Sequence, residues 1–140
     1  MKKIIFSPLL FIFLVAFAQS NDEMSIRKIL DEQTRSWNQG NIEGFMKGYW
    51  KSDSLMFIGK SGISRGWQRT LENYKKSYPD TAAMGKLSFD IILVKKLSEK
   101  YFYVVGKWML HRTAGDLSGY YNLLFKKING QWFIIADHSS

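Results

Sequence analysis

The chain has 140 residues, enough for one domain with a substantial hydrophobic core and too few for several. Its formal net charge is +8, but the basic residues are scattered along the chain, which argues against a nucleic-acid partner. The absence of cysteine excludes disulfides, cysteine-ligated metal centres and a lipid-modified cysteine.

Residues 1–18 have the pattern of a signal peptide. Two lysines precede an almost wholly apolar run, residues 4–17, and Ala16 and Ala18 put small residues where a signal peptidase requires them. A membrane anchor is the alternative, but this run is shorter than the roughly 20 apolar residues of a spanning helix. We therefore predict cleavage after Ala18, export to the periplasm or beyond, and a mature domain of residues 19–140. The domain would meet the membrane only through the signal peptide.

Three helices are predicted in the first half of the mature domain. Apolar residues recur at helical spacing over residues 23–38, and Gly40 follows as a helix terminator. Asn41 caps a second, short helix. A third begins after Gly66 and ends at Pro79.

Strands follow the helices. A short apolar strand at residues 54–58 can pair with the next few residues, and from Gly85 onward apolar and polar residues alternate. Four long strands are predicted there, at residues 87–93, 101–112, 119–127 and 131–139. Asn129-Gly130 between the last two is a strong hairpin signal. Helices followed by a meander predict an α+β fold with three N-terminal helices packed on a curved antiparallel sheet.

The second long strand favours an internal pocket. Strict alternation places Trp108 on one face with Val104, Leu110 and Arg112. A cation on an apolar face needs a partner, unless Arg112 lies past the buried part of the strand and meets water. An aromatic-rich concave face that three helices do not fill would leave a cavity. The alternative is that the same aromatic residues form an ordinary core.

Asp137-His138-Ser139 in the last strand resembles a catalytic triad, but consecutive strand residues point to opposite faces. Alternation groups His138 with Trp132 and Ile134, and Asp137 with Ser139. Either Asp137 or His138 would enter the cavity, and we favour His138, which can titrate near neutral pH. Alternatively, His138 bonds a neighbouring loop and closes the barrel.

Several short segments resemble the SnoaL-like, nuclear transport factor 2-like superfamily, in particular its exported branch of unknown function. The resemblance rests on residues 37–41, 65–67, 74, 78–80, 106–108, 119–125, 130–132 and 136–140 in this order and spacing. It implies a conical α+β barrel, a pocket between the helices and the concave sheet, and a homodimer formed through the sheet.

Ketosteroid isomerases share this superfamily and need a carboxylate base and hydrogen-bond donors for an oxyanion. Similarity places the base position at Ile58 and the oxyanion tyrosine near Gln33. Neither side chain can do this chemistry, so the isomerase mechanism is not expected. No cofactor is predicted, and no metal site, because His111 and His138 lack the paired spacing of metal ligands.

These patterns predict an exported pocket protein that binds a small hydrophobic or aromatic molecule without catalysis. The alternatives are an enzyme with acid–base chemistry, of isomerase, dehydratase or hydrolase type, and a dimeric interaction module of the cell envelope. The catalytic candidates are Asp137 and His138, assisted by Arg112. The candidate ligand-binding residues are Trp37, Trp50, Met56, Trp67, Tyr74, Trp108, Arg112 and Tyr121.

Overall fold

The computed structural model describes residues 20–140, so the predicted signal peptide lies outside the described residues. The helices are α1 (Asn21–Asn38), α2 (Ile42–Met46), α3 (Trp67–Ser77) and α4 (Thr81–Met84). The strands are β1 (Met56–Gly59), β2 (Gly62–Arg65), β3 (Lys86–Ser98), β4 (Tyr101–His111), β5 (Leu117–Ile128) and β6 (Gln131–Ser139). The predicted α+β class is confirmed. Within the described part, no helix is both long and apolar enough to cross a membrane.

The six strands form one curved sheet in the order β2-β1-β6-β5-β4-β3. The four long strands make the predicted antiparallel meander, and the turn at Asn129 and Gly130 has positive φ angles of 50° and 78°. The sheet is nevertheless mixed, because β1 runs parallel to β6. The meander leaves one edge of β6 unpaired, and the β1–β2 hairpin completes the sheet there.

A fourth helix, α4, was not predicted. It spans only Thr81–Met84, and the Asp80 side chain caps it by accepting a hydrogen bond of 2.7 Å from the Ala83 amide. Such a short helix has too few residues to show an apolar period. Its last carbonyl, on Met84, accepts a hydrogen bond of 3.1 Å from Trp37 Nε1, so α4 is tied to α1.

The core lies between the helices and the concave face of the sheet. Ile26 and Leu30 of α1 pack there with Val104, Phe125 and Ile134 of the sheet, and all five are at most 1% exposed. This arrangement encloses the interior of a cone, and what lies inside it determines the chemistry available to the protein.

A β-bulge in β6 changes which side chains enter the cone. Leu124 pairs with Ala136 and Phe125 with Ile134, so Ile135 is an extra residue without an opposite partner. Trp132 and Ile134 therefore face inward before the bulge, and Asp137 faces inward after it. The grouping of His138 with Trp132 and Ile134, predicted from strict alternation, is wrong.

A second bulge, in β3, has the same effect. Ile91 pairs with Gly106 and Leu93 with Val105, so Ile92 is the extra residue. Leu93, two residues after inward-facing Ile91, is 42% exposed, and Val94 packs against the core instead. In both strands alternation breaks because one strand carries an unpaired residue.

Candidate functional site

A carboxylate lies inside the cone. Asp137 of β6 is only 3% exposed. Its Oδ2 accepts a hydrogen bond of 2.7 Å from the Tyr49 hydroxyl, and its Oδ1 accepts one of 2.6 Å from the Ser139 hydroxyl. The bulge at Ile135 turns Asp137 and Ser139 inward together, because they lie two residues apart on the same face.

Tyr49 is held in place by β6 itself. It follows α2, and the residues on either side pair with Ile134: Trp50 donates its amide to the Ile134 carbonyl, and the Ile134 amide donates to the Gly48 carbonyl, both at 2.9 Å. Tyr49 forms an isolated bridge with Ile134 and is 4% exposed. These backbone bonds fix the phenol over Asp137.

Tyr74 of α3 extends the polar cluster. Its hydroxyl lies close enough to Asp137 for the carboxylate charge to raise its pKa. Its ring packs edge-on against Trp37, Phe45 and Phe57, with centroid distances of 5.9, 5.3 and 5.7 Å. We call Asp137, Tyr49, Tyr74 and Ser139 the Asp137 cluster, a polar group in an aromatic cage.

Burial controls the protonation of this cluster. Burial raises the pKa of Asp137 to about 6, although the hydrogen bonds from Ser139 and Tyr49 favour the carboxylate and act in the opposite direction. Burial and the charge of Asp137 raise the pKa values of Tyr49 and Tyr74 well above the ordinary phenol value. Asp137 can therefore exchange a proton near neutral pH, whereas both phenols stay protonated.

Two further polar atoms are buried on the concave face of the sheet. Tyr121 Oη and Trp108 Nε1 have no hydrogen-bond partner within residues 20–140. Tyr121 is 4% exposed, and its hydroxyl lies over Gly106, where a Cβ atom would come within 2.3 Å of it. Trp108 Nε1 lies over Gly119, within 2.9 Å of the point that a Cβ atom would occupy. Both glycines thus make room for side chains of the neighbouring strand.

Two surface grooves border α1 in the described part of the chain. One, of about 380 Å³, lies between α1 and α2 and includes Gln39 and Lys47; we call it the α1–α2 groove. The other, of about 260 Å³, lies between α1 and β3; this α1–β3 groove is lined by Arg27, Leu30, Asp31, Thr34, Ser88, Phe89 and Ile91. Neither groove is lined by a member of the Asp137 cluster.

A solved structure of a protein of unknown function from Shewanella oneidensis MR-1, described as NTF-2 like, matches this fold and sequence. The two are 39% identical, the match covers 85% of this chain and 98% of that one, and the TM-score is 0.82. The chain belongs to the nuclear transport factor 2-like proteins. No protein-family profile matches it, and no curated protein does.

More distant structures share the fold of this nuclear transport factor 2-like chain. A ketosteroid isomerase-like protein from Erwinia carotovora atroseptica is 15% identical, with a TM-score of 0.69 over 87% of this chain and 97% of that one. A domain of unknown function with a cystatin-like fold from Nostoc punctiforme is 16% identical, with a TM-score of 0.73 over 88% and 78%. At these identities the likeness shows the fold alone.

The ketosteroid isomerase positions hold no acid–base groups in this family member. Gln33 is 2% exposed and donates from Nε2 to the Phe45 carbonyl at 3.1 Å, so its amide holds α1 against α2. In β1 the inward side chain is Phe57, which pairs in register with Asp137 and contacts Tyr74. Ile58 pairs with His138 and faces away from the cone. Neither face of β1 therefore supplies a carboxylate base.

Two predicted ligand residues are anchors between helices. Trp37 is 3% exposed, and its indole nitrogen is bonded to Met84. Trp67 donates from Nε1 to the Met46 carbonyl at 3.0 Å, and Lys51 Nζ lies 5.1 Å from the centre of its ring. These bonds join α1 to α4 and α3 to α2, so they shape the cone.

Three other candidates lie away from the Asp137 cluster. Met56 shares the outward face of β1 with Ile58, and half-buried Trp50 is not part of the core. Arg112 closes the turn after β4, donating from Nε to the Gly115 carbonyl at 2.9 Å and from Nη1 to the Ala83 carbonyl at 3.3 Å. It is half-buried and bonded to backbone, so neither predicted alternative, a buried ion pair or a solvated cation, describes it.

The structure separates the catalytic candidates. Asp137 is inside the cone, whereas His138 is exposed on the convex face of the sheet. His138, which we favoured from sequence, is on the wrong side for the interior because of the bulge. Tyr49 and Ser139 are site residues that were not predicted; the one signal in the sequence was the shared apolar side of Phe45, Met46 and Tyr49. In the part of the chain that the structure describes, no three His, Cys, Asp or Glu side chains are grouped to hold a metal ion.

Proposed function

We propose that the protein is an exported pocket protein that binds a small, partly apolar molecule inside the cone without catalysis. The observation that carries the proposal is the Asp137 cluster: a carboxylate with two hydroxyl donors, Tyr49 and Ser139, and a second phenol, Tyr74, nearby, in an otherwise aromatic interior. A carboxyl group whose pKa is raised by such an interior is a candidate functional group.

The stability of the fold does not account for this carboxylate. Removing a carboxylate from water costs free energy that its hydrogen bonds only partly offset, and apolar side chains of similar volume often serve a core equally well. The raised pKa of Asp137 is the sign of that cost. Selection for binding, where a few polar groups orient a guest between apolar walls, explains the arrangement better.

Binding without catalysis is the leading function because no second acid–base group lies beside Asp137 in the cluster. The inward residue of β1 beside Asp137 is Phe57, and His138 points the other way. The remaining partners of Asp137 are hydroxyls whose pKa values lie far above neutrality, so they donate hydrogen bonds and do not act as bases.

A thermal-shift screen with small aromatic and alicyclic compounds tests the proposal. Compounds that raise the Tm of the wild-type protein at pH 8 should lose most of that effect in Asp137→Asn. They should keep it in His138→Asn, a matched change at the next residue on the opposite face. A screen without any stabilising compound, or equal losses in the two variants, would count against a site inside the cone.

An acid–base enzyme in the same pocket is the second candidate, favoured by the pKa of Asp137 near 6. A base of this kind would remove a proton next to a carbonyl group. Exchange of the methyl protons of acetophenone in deuterated buffer, followed by NMR, would then be faster with wild-type protein than with Asp137→Asn. Equal rates would leave binding as the function.

Export and dimerisation complete the proposal. The signal-peptide pattern of residues 1–18 supports export. A homodimer through the convex face of the sheet is supported by exposed apolar side chains there: Leu93, Met109 and Tyr120 are 42%, 44% and 60% exposed. A second copy would cover this surface. Such a dimer would leave the interior of each cone available to its own guest.

A further inference from the structure

Packing alone does not explain the buried hydroxyl of Tyr121. Its Oη is without a partner among residues 20–140, although buried polar groups nearly always have one. Gly106 beneath it is the residue that makes the position possible, since any Cβ atom there would come within 2.3 Å of the oxygen. The strand thus leaves room for a donor that no group in residues 20–140 uses.

Phe89 connects this hydroxyl to the surface. Its ring packs edge-on against the Tyr121 ring, with centroids 5.1 Å apart. Phe89 is also a lining residue of the α1–β3 groove. Phe89 therefore touches both the groove and the Tyr121 ring, and a change of its rotamer would expose that ring to the groove.

The charges around Tyr121 select the kind of guest. Burial raises the pKa of Tyr121 far above its usual value, and the carboxylates of Asp137 and Asp90 raise it further, while Arg27 lowers it. The phenol therefore stays protonated at every physiological pH and can only donate to a guest in this setting. An anionic guest would be repelled by the carboxylates of Asp137 and Asp90. The cation Arg27 would attract it less strongly, because Arg27 already pairs with Glu23.

We propose that the Tyr121 hydroxyl is the donor of a subsite for a neutral carbonyl oxygen, reached from the α1–β3 groove past Phe89. The inference rests on the proposed function and adds the chemical class of the guest: an uncharged aromatic or alicyclic ketone, ester or amide. The apolar part of the guest packs against Phe89 and Ile91, and its oxygen accepts the bond that Oη lacks.

Three probes that share a phenyl ring test the subsite: acetophenone, its apolar analogue ethylbenzene, and the anion benzoate. Titrations of ¹⁵N-labelled wild-type protein at pH 8 should show acetophenone binding about tenfold more tightly than ethylbenzene, the effect of one added hydrogen bond, and benzoate binding more weakly than both. Shifted amides should cluster at residues 88–91 and Thr34, and not at Gln39 and Lys47 of the α1–α2 groove.

Tyr121→Phe is the matched variant. It should bind acetophenone and ethylbenzene equally, and its Tm should equal or exceed that of the wild type, because the lost hydroxyl had no partner. A preference for acetophenone that survives in Tyr121→Phe would overturn the inference, as would preferred binding of benzoate, shifts confined to Gln39 and Lys47, or a Tm lowered by about 5 °C or more.

The outcomes separate this inference from the proposed function. If none of the three compounds binds and the wider thermal-shift screen also yields nothing, both fail. If compounds bind and their effect depends on Asp137, but the acetophenone preference does not depend on Tyr121, the pocket stands and the carbonyl subsite is wrong.

Discussion

Tyr49 and Asp137, 88 residues apart in the chain, are joined by a buried hydrogen bond of 2.7 Å. The bond connects the end of α2 to the last strand, and both partners are at most 4% exposed. A phenol fixed on a carboxylate inside an aromatic cage is the feature of this nuclear transport factor 2-like protein from which its chemistry follows.

The first prediction concerns the pH dependence of stability. The pKa of Asp137 is raised in the folded protein, from 3.8 to about 6, so folding favours the protonated carboxyl. Measured against Asp137→Asn, the free energy of unfolding of the wild type should fall as the pH rises from about 4 to about 6. Above that range the difference between the two proteins should stay about 3 kcal/mol below its value at low pH. Urea unfolding at several pH values measures this difference. Parallel curves for the two proteins would mean that Asp137 titrates normally.

The second prediction concerns the donor. Tyr49→Phe leaves the buried carboxylate with one fewer hydrogen bond, so at pH 8 the free energy of unfolding should fall by about 1.5–3 kcal/mol. The loss should be smaller at pH 5, where Asp137 is protonated. Tyr78→Phe, at a half-buried tyrosine just after α3 and away from the convex face, is the control and should change stability by less than about 0.5 kcal/mol. A loss at Tyr49 that does not depend on pH would show that it does not come from the charge of Asp137.

The third prediction concerns the convex face of the sheet. If a second copy covers it, Leu93→Glu should convert a dimer into a monomer in sedimentation equilibrium, because the charge would be buried without a partner. Asn73→Glu makes the same change of charge at an exposed position on α3 and should leave the dimer intact. A wild-type protein that is monomeric at micromolar concentration would contradict the proposed dimer.

The fourth prediction concerns export. Expressed in a bacterial host with its first 18 residues, the protein should reach the periplasm or medium with Gln19 as its first residue, as mass spectrometry of the intact protein would show. Replacing Ala16 by Lys should block processing, because the peptidase requires a small residue there. An intact precursor in the cytoplasm of cells expressing the wild type would argue against a signal peptide.

Much of this fold could be predicted from local patterns in the sequence. Helical periodicity located α1, Pro79 marked the end of α3 to within two residues, and the positive φ angles at Asn129-Gly130 confirm the hairpin. Each of these features depends on residues close together in the chain, so the sequence alone contains the necessary information.

The rest depends on distant partners. The bulges at Ile92 and Ile135 exist because the neighbouring strands pair on either side of one unmatched residue, and nothing in β3 or β6 alone marks them. Because of the bulge at Ile135, alternation grouped the wrong residues and we favoured His138 over Asp137. The pairing of β1 with β6, which places Phe57 beside Asp137, is likewise decided across the whole chain.

A filtered nuclear Overhauser experiment on acetophenone bound to the wild-type protein tests the central claim most directly. A guest inside the cone must show contacts between its ring protons and those of Phe89 and Tyr121. Contacts to these two rings are the predicted result. Contacts confined to the α1–α2 groove, with none to Phe89 or Tyr121, would contradict a binding site inside the cone.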